Sequence, residues 1–125
     1  MTDYLTLVEV LAIHDDQMER YGGLNEIRDH GQLEAALFRM QSGYYHDVIG
    51  EAAALWESLS QNHPFFDGNK RTAFACAYTF LAINGIEITA DSESVYAFLM
   101  DLYENNHFQF EELDHWLRLN TKGFV

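Results

Sequence analysis

NHPFFDGNKRTAF, Asn62 to Phe74, sets a histidine, an aspartate, an asparagine, a lysine, an arginine and a glycine in a short turn that opens a strongly apolar run. Pro64 lacks an amide donor and restricts the residue before it, so a helix arriving from upstream breaks at His63. Downstream, Ala73 to Ile83 (AFACAYTFLAI) is apolar almost all round, the pattern of a helix surrounded by others, and Asn84-Gly85 supplies its stop. The turn is therefore expected between two helices, the second of them the central buried one.

Outward from this turn the apolar period stays helical. Thr6 and Glu9 have the spacing of a capping box, and Leu7, Val10, Leu11, Ile13, His14 and Met18 follow on one broad face until Gly22-Gly23. Leu33, Ala36, Leu37 and Met40 predict a second, shorter helix ending before Gly43, and Ala54, Leu55, Ser58 and Leu59 a third from Glu51 to Gln61. Between them GYYHDVIG, Gly43 to Gly50, has paired tyrosines and β-branched residues between glycines, which predicts an extended loop or small hairpin. Ile86 to Thr89 reads as short and extended; Asp91 or Ser92 can cap a helix carrying Val95, Phe98, Leu99 and Leu102, and a last helix carries Leu113, Trp116 and Leu117. The expected fold is all-α, a compact bundle around one buried central helix with a short β-hairpin or extended flap.

Composition limits what such a bundle can do. The 125 residues, 48% of them hydrophobic, suit one domain over 1–125. The formal net charge of -13 opposes indiscriminate binding to nucleic acid or to anionic membranes, so any anion must be held locally. The N-terminal MTDYLTLVEVLAIHDDQ lacks a basic leader and meets acidic residues early, which argues against a signal peptide or membrane span. The single Cys76, among small apolar neighbours, excludes an internal disulfide and suits a reduced, cytoplasmic protein.

An anion site is what the turn offers. A helix start presents unpaired N–H groups and a partial positive charge, and Gly68 lets the backbone approach a phosphate closely. Asn69 can donate from its side-chain amide, and Lys70 and Arg71 add charge, the guanidinium able to grip phosphate oxygens in pairs. Asp67 makes sense beside phosphate if Mg²⁺ lies between them, since Mg²⁺ takes one or two carboxylates together with substrate phosphates. His63 can accept the proton of an attacking hydroxyl. These roles add up to phosphoryl or nucleotidyl transfer onto a hydroxyl. Other readings fit less well. In a P-loop the upstream glycine would fall on His63; a helical His63/Asp67 metal pair is opposed by Pro64 and Gly68; and Arg39 with His46, spaced as in HEPN-type ribonucleases, has Gly43 between. His14 and His115, within apolar patterns, read as partly buried structural residues.

His63-Pro64-Phe65-Phe66-Asp67-Gly68-Asn69-Lys70-Arg71 resembles the signature of the Fic/Doc superfamily, H-P-F-x-D/E-G-N-G/K-R, and within it the Doc (death-on-curing) toxin branch of type II toxin-antitoxin systems, where a Lys-Arg pair closes the pattern. Arg20 to Leu24, Arg28 to Ala36 and Phe80 to Gly85 are similar to Doc segments as well. The resemblance implies a Fic fold, His63 as general base, Asp67 as the Mg²⁺ holder, and Gly68, Asn69, Lys70 and Arg71 as binders of nucleotide phosphates. It also implies a flap that aligns the target by strand-like pairing, at Tyr44, Tyr45, His46, Asp47, Val48 and Ile49. Lys70 stands where nucleotidylating relatives have glycine, and Phe74 where they have a second arginine, departures shared with Doc. Together they imply a toxin kinase that moves the γ-phosphate of ATP, with Mg²⁺, to a protein hydroxyl, a threonine of elongation factor Tu, and so arrests translation. AMP transfer and a non-catalytic protein-binding module are the alternatives. An antitoxin acting in trans, its C-terminal helix covering the site, is the implied regulator, because the self-inhibitory pattern is met only in part at Thr89 to Glu93, with Ser94 following.

Overall fold

The computed structural model, which describes residues 1–123, contains six helices and two short strands. In chain order α1 spans Leu7–Tyr21, α2 His30–Met40, α3 Val48–Gln61, α4 Asn69–Ile83, α5 Ser92–Glu104 and α6 Phe110–Leu119. β1, Ile86–Ile88, pairs antiparallel with β2, Thr121–Gly123, with Ile86 opposite Gly123 and Ile88 opposite Thr121.

The helices begin where side chains satisfy free amides. Thr6 accepts from the Glu9 N–H while the Glu9 carboxylate accepts from the Thr6 N–H, so the capping box of α1 forms in full. Asp29, Asp47 and Asp91 cap α2, α3 and α5 by accepting from Gln32, Gly50 and Ser94. The Asp47 cap corrects one sequence expectation: α3 begins at Val48, three residues before Glu51, so Val48 and Ile49 lie in its first turn. The expected extended stretch shortens to bends around Gly43 to Asp47, and the antiparallel pair lies elsewhere, between β1 and β2.

The central helix also differs from expectation. It is α3, buried from Gly50 to Trp56 and again from Ser58 to Ser60, with α2, α4 and α6 packed around it. At its middle Trp56 meets the rings of Phe74, Phe98, Phe108 and Trp116 at centroid distances of 5.3, 6.3, 6.2 and 5.9 Å. Trp56, fully enclosed, contributes about 1.5–3 kcal/mol of hydrophobic free energy, with edge-on ring contacts adding to it. α4 instead buries one face, through Ala73, Cys76, Ala77, Phe80 and Leu81, keeps Phe74 half-buried against Trp56, and turns Tyr78 and Ile83 outward. Its all-round apolarity reflects a groove along the outer face rather than neighbours on every side. Cys76 lies in the buried face, and burial pushes its thiol pKa up, so it stays a neutral packing group.

Candidate functional site

The α3–α4 connection carries His63, Asp67 and the helix start together, and three separate contacts fix its shape. Asn69, itself buried, accepts from the Phe65 N–H at 3.0 Å and donates to the Phe65 carbonyl at 2.9 Å, closing the turn on itself. Phe65 is buried, stacked on the His14 ring at 3.6 Å between centroids, and bridges Ile27 on the neighbouring segment. His14 Nε2 lies 2.9 Å from the Asp67 carbonyl oxygen. The Asn69 side chain thus uses its oxygen and one amide N–H on Phe65, which leaves one side-chain N–H and the backbone N–H for an anion.

Gly68 caps α4 in the left-handed region at φ 75, where a non-glycine residue would be strained. An added Cβ would also come within 2.0 Å of the buried Met18 Cε, so that flexible side chain would have to move. No side chain caps this helix, and its first backbone bond runs from the Thr72 N–H to the Gly68 carbonyl at 2.9 Å. The amides ahead of Thr72 are thus left to an outside acceptor. Arg71 stays beside them, with Nη2 3.7 Å from the position a Gly68 Cβ would take, donating to the Gly22 carbonyl at 3.1 Å and lying over the Tyr21 ring.

Lys70 turns the other way and sets its ammonium 4.1 Å from the centroid of Tyr103. Tyr103 is firmly held, stacked on Phe108 and hydrogen-bonded to Ser60 at 2.6 Å, and burial pushes its phenol up to about 12, so a neutral ring faces the cation. Among the described residues Arg20, Arg39, Arg118 and Lys122 pair with carboxylates, whereas Lys70 and Arg71 rest only on tyrosine rings and a backbone carbonyl. In a chain of net charge -13, two cations left free of carboxylates at one helix start mark where a local anion would go. Both line a groove of about 630 Å³ between α4 and α5, walled mainly by Tyr21, Phe74, Tyr78, Tyr96, Leu99 and Tyr103.

Asp67 accepts the Leu24 N–H through Oδ2 at 2.9 Å, which orients the carboxylate and leaves its other oxygen for a cation. No group of three or more His, Cys, Asp or Glu side chains among the described residues could hold a metal by itself. The donor set therefore fits a Mg²⁺ shared with bound phosphate, which needs few protein carboxylates, and does not fit a resident all-protein metal centre.

His63 is exposed at the mouth of the turn with φ 49. Tyr44, Tyr45, His46 and Asp47 lead into α3, and Arg39 donates to the Tyr45 hydroxyl at 2.7 Å and, further along α3, to Glu57 at 2.8 Å and to Ser58 at 2.9 Å. Those bonds from Nε and Nη1 make Arg39 a structural crosslink between α2, α3 and the segment before α3. His115 is exposed on α6, unlike the buried His14, so the two histidines that the apolar pattern groups together part company. Sequence reasoning about the turn missed its outside supports, Met18, Tyr21, Arg28 and Tyr103; the first three fall in or near the segments similar to Doc, which was the available signal.

Comparison with known proteins covers this same region. Residues 4–81 match the Fic/DOC family. Over 96 residues the chain is 44% identical to Toxin Doc of Mycolicibacterium smegmatis, spanning 73% of this chain and 72% of that one. Over 84 residues it is 36% identical to Protein kinase doc of Escherichia phage P1, spanning 64% of this chain and 67% of that one. With the turn, its supporting helices and the matched residues coinciding, the chain belongs to the Fic/DOC family, on its Doc branch.

Proposed function

We propose that the chain is a cytoplasmic toxin kinase that transfers the γ-phosphate of ATP to a hydroxyl of a target protein, a threonine of elongation factor Tu on the family resemblance. Its relatives named Toxin Doc and Protein kinase doc support the toxin and kinase parts of this reading. The observation that carries the choice of phosphate over AMP is the pair Lys70 and Phe74. Lys70 occupies the place where a nucleotidylating enzyme needs room, and Phe74 packs on Trp56 where a second arginine would have gripped the terminal phosphates.

In this reaction His63 takes the proton of the incoming hydroxyl as its oxygen bonds to the γ-phosphorus. The bond from that phosphorus to the β,γ-bridging oxygen breaks, and ADP leaves with the electron pair. The α4 amides and Arg71 bind the phosphates, and Lys70 balances the charge on the groove side. Asp67 would hold Mg²⁺, which when bound neutralises phosphate charge. A helix of an antitoxin, its apolar face laid along the groove between α4 and α5, would cover Lys70 and Arg71 and silence the toxin in trans. No helix among the described residues is long and apolar enough to cross a membrane.

Mass spectrometry of the target after incubation with ATP tests the reading. The expected product carries one added phosphate and disappears with His63→Ala. An adenylyl adduct would establish AMP transfer instead, and toxicity that survives His63→Ala would establish a protein-binding module without catalysis.

A further inference from the structure

The residue that carries the proton step has an improbable backbone. His63, not a glycine, sits at φ 49, a region that side chains with a Cβ rarely adopt and that persists only where the surroundings over-determine it. Pro64 restricts His63 sterically but favours extended backbone rather than a positive φ, while α3 ends at the Asn62 cap just before it and the Asn69 clasp closes on Phe65 beyond it. The constraint comes from the segment between α1 and α2. Arg28 Nε donates to the His63 carbonyl at 2.6 Å and Nη2 donates to the Asn62 carbonyl at 3.0 Å. The backbone N–H groups of Arg28 and Asp29 both donate to the Pro64 carbonyl, at 2.8 and 3.0 Å.

Three successive carbonyls, those of Asn62, His63 and Pro64, are therefore gathered by one residue and its neighbour. The charge is also correctly placed, because carbonyls at a helix C-terminus carry partial negative charge that a guanidinium neutralises. Arg28 forms no ion pair with a carboxylate among the described residues, although Asp and Glu number 20 in the chain. Its Nε and Nη2 donors are used on this backbone.

We propose that Arg28 is a positioning residue for His63, fixing the strained backbone that aims the imidazole at the acceptor hydroxyl. The inference rests on the reading of His63 as general base. Arg28 touches no reacting atom; it acts through the carbonyls on either side of the His63 Cα. A guanidinium is suited to the task because its fixed fork reaches two oxygens at once, which a lysine ammonium on a flexible stem does not reproduce.

The test compares Arg28→Ala, Arg28→Lys and His63→Ala with the unaltered chain in steady-state phosphoryl transfer from ATP, with thermal unfolding measured alongside. Misplacing a reacting group by about 1 Å costs up to ~10²-fold in rate, so Arg28→Ala is expected to lower kcat roughly tenfold or more. The KM for ATP should hold within about twofold, because the phosphates bind at the start of α4 and not at Arg28. Arg28→Lys should recover part of kcat. Histidine-labelled NMR supplies a readout independent of activity. The His63 ring signal, identified by its loss in His63→Ala, should shift and broaden in Arg28→Ala while the signals of the other five histidines stay in place. Unchanged kcat with an unmoved His63 signal, or an ATP KM that rises as far as kcat falls, would overturn the positioning role. Full activity of His63→Ala would overturn the base reading itself, a separate outcome.

Discussion

His14 contributes to the site without facing it. The ring is 1% exposed, stacked on Phe65, and its Nε2 approaches the Asp67 carbonyl oxygen, which can only accept. Nε2 therefore carries the hydrogen, and in the neutral ring Nδ1 carries none. The bond sets the peptide that joins Asp67, the carboxylate proposed to hold Mg²⁺, to the glycine opening the helix, which couples one buried side chain to both. His14→Phe keeps a flat ring against Phe65 but strands the carbonyl, and an unsatisfied buried acceptor costs about 1–3 kcal/mol. His14→Gln loses the stack and restores a donor near the Nε2 position. The expected order in activity at limiting Mg²⁺ is wild type, then Gln, then Phe, with Phe needing the most Mg²⁺. Titrating MgCl₂ against transfer rate checks this, and a Phe variant with an unaltered Mg²⁺ requirement would remove His14 from the description of the site. Gly68 illustrates a different residue-scale constraint: its positive φ favours glycine, and a side chain there would also have to displace the Met18 methyl beneath it. A glycine in a G-N-K-R turn is legible in sequence; the methionine fifty residues earlier is not.

Helix starts were legible where the cap and the apolar period agreed. Thr6 with Glu9, and Asp91, placed α1 and α5 correctly because those signals are local. At the start of α3 the local cap signal of Asp47 competes with paired tyrosines and β-branched residues that read as extended, and part of its support is remote. Asp47 caps Gly50 and is closed on by Arg118 of α6, whose Nη1 and Nη2 donate to its carboxylate at 2.9 and 3.0 Å; the β-branched Val48 and Ile49 merely tolerate the helix. The same distance limit applied to the site: the contiguous turn could be read, whereas the supports from His14 and Arg28 could not. Asp47→Ala should cost about 1 kcal/mol from the lost cap. The exposed ion pair with Arg118 adds little once solvent screens it. The hydrogen bonds from Arg118, aided by the Gly50 N–H, hold the Asp47 carboxyl below the usual aspartate range, despite a smaller opposing effect of burial. A carboxyl lowered on folding contributes stability that is complete above the unfolded value near 4 and lost as pH falls through the folded value. Thermal unfolding of wild type and Asp47→Ala should thus differ at pH 7 and converge as the medium is acidified below about pH 3. A gap that widens in acid would contradict the assignment. Asp47→Asn, which retains a capping side chain, should lie between the two.

At the scale of the whole molecule, charge sets two opposed demands. Twenty acidic against seven basic residues give a strong self-repulsion, and the ion pairs that offset it lie at the surface, where each is worth at most about 1 kcal/mol. The anion site proposed at the start of α4 would work against that field: beyond a Debye length, about 10 Å at 0.1 M salt, an approaching nucleotide would meet net negative charge. Only inside that distance do Lys70, Arg71 and the amides of α4 dominate. Salt consequently acts in opposite senses on the two steps of binding. Screening the long-range field should raise the association rate of ATP between about 0.05 and 0.5 M NaCl, the reverse of ordinary electrostatic steering. Screening the close contacts should raise the dissociation rate as well. Over the same range the unfolding midpoint of the free protein should rise, because more repulsion than attraction is removed. Chloride is the salt of choice, since sulfate and phosphate strengthen apolar burial in any protein and would also compete for the site. Stopped-flow binding and thermal scans at stepped NaCl measure both. An association rate that falls with salt would mean that the field at the mouth of the groove is positive despite the net charge of -13, and that Lys70 and Arg71 reach further than their tyrosine contacts imply.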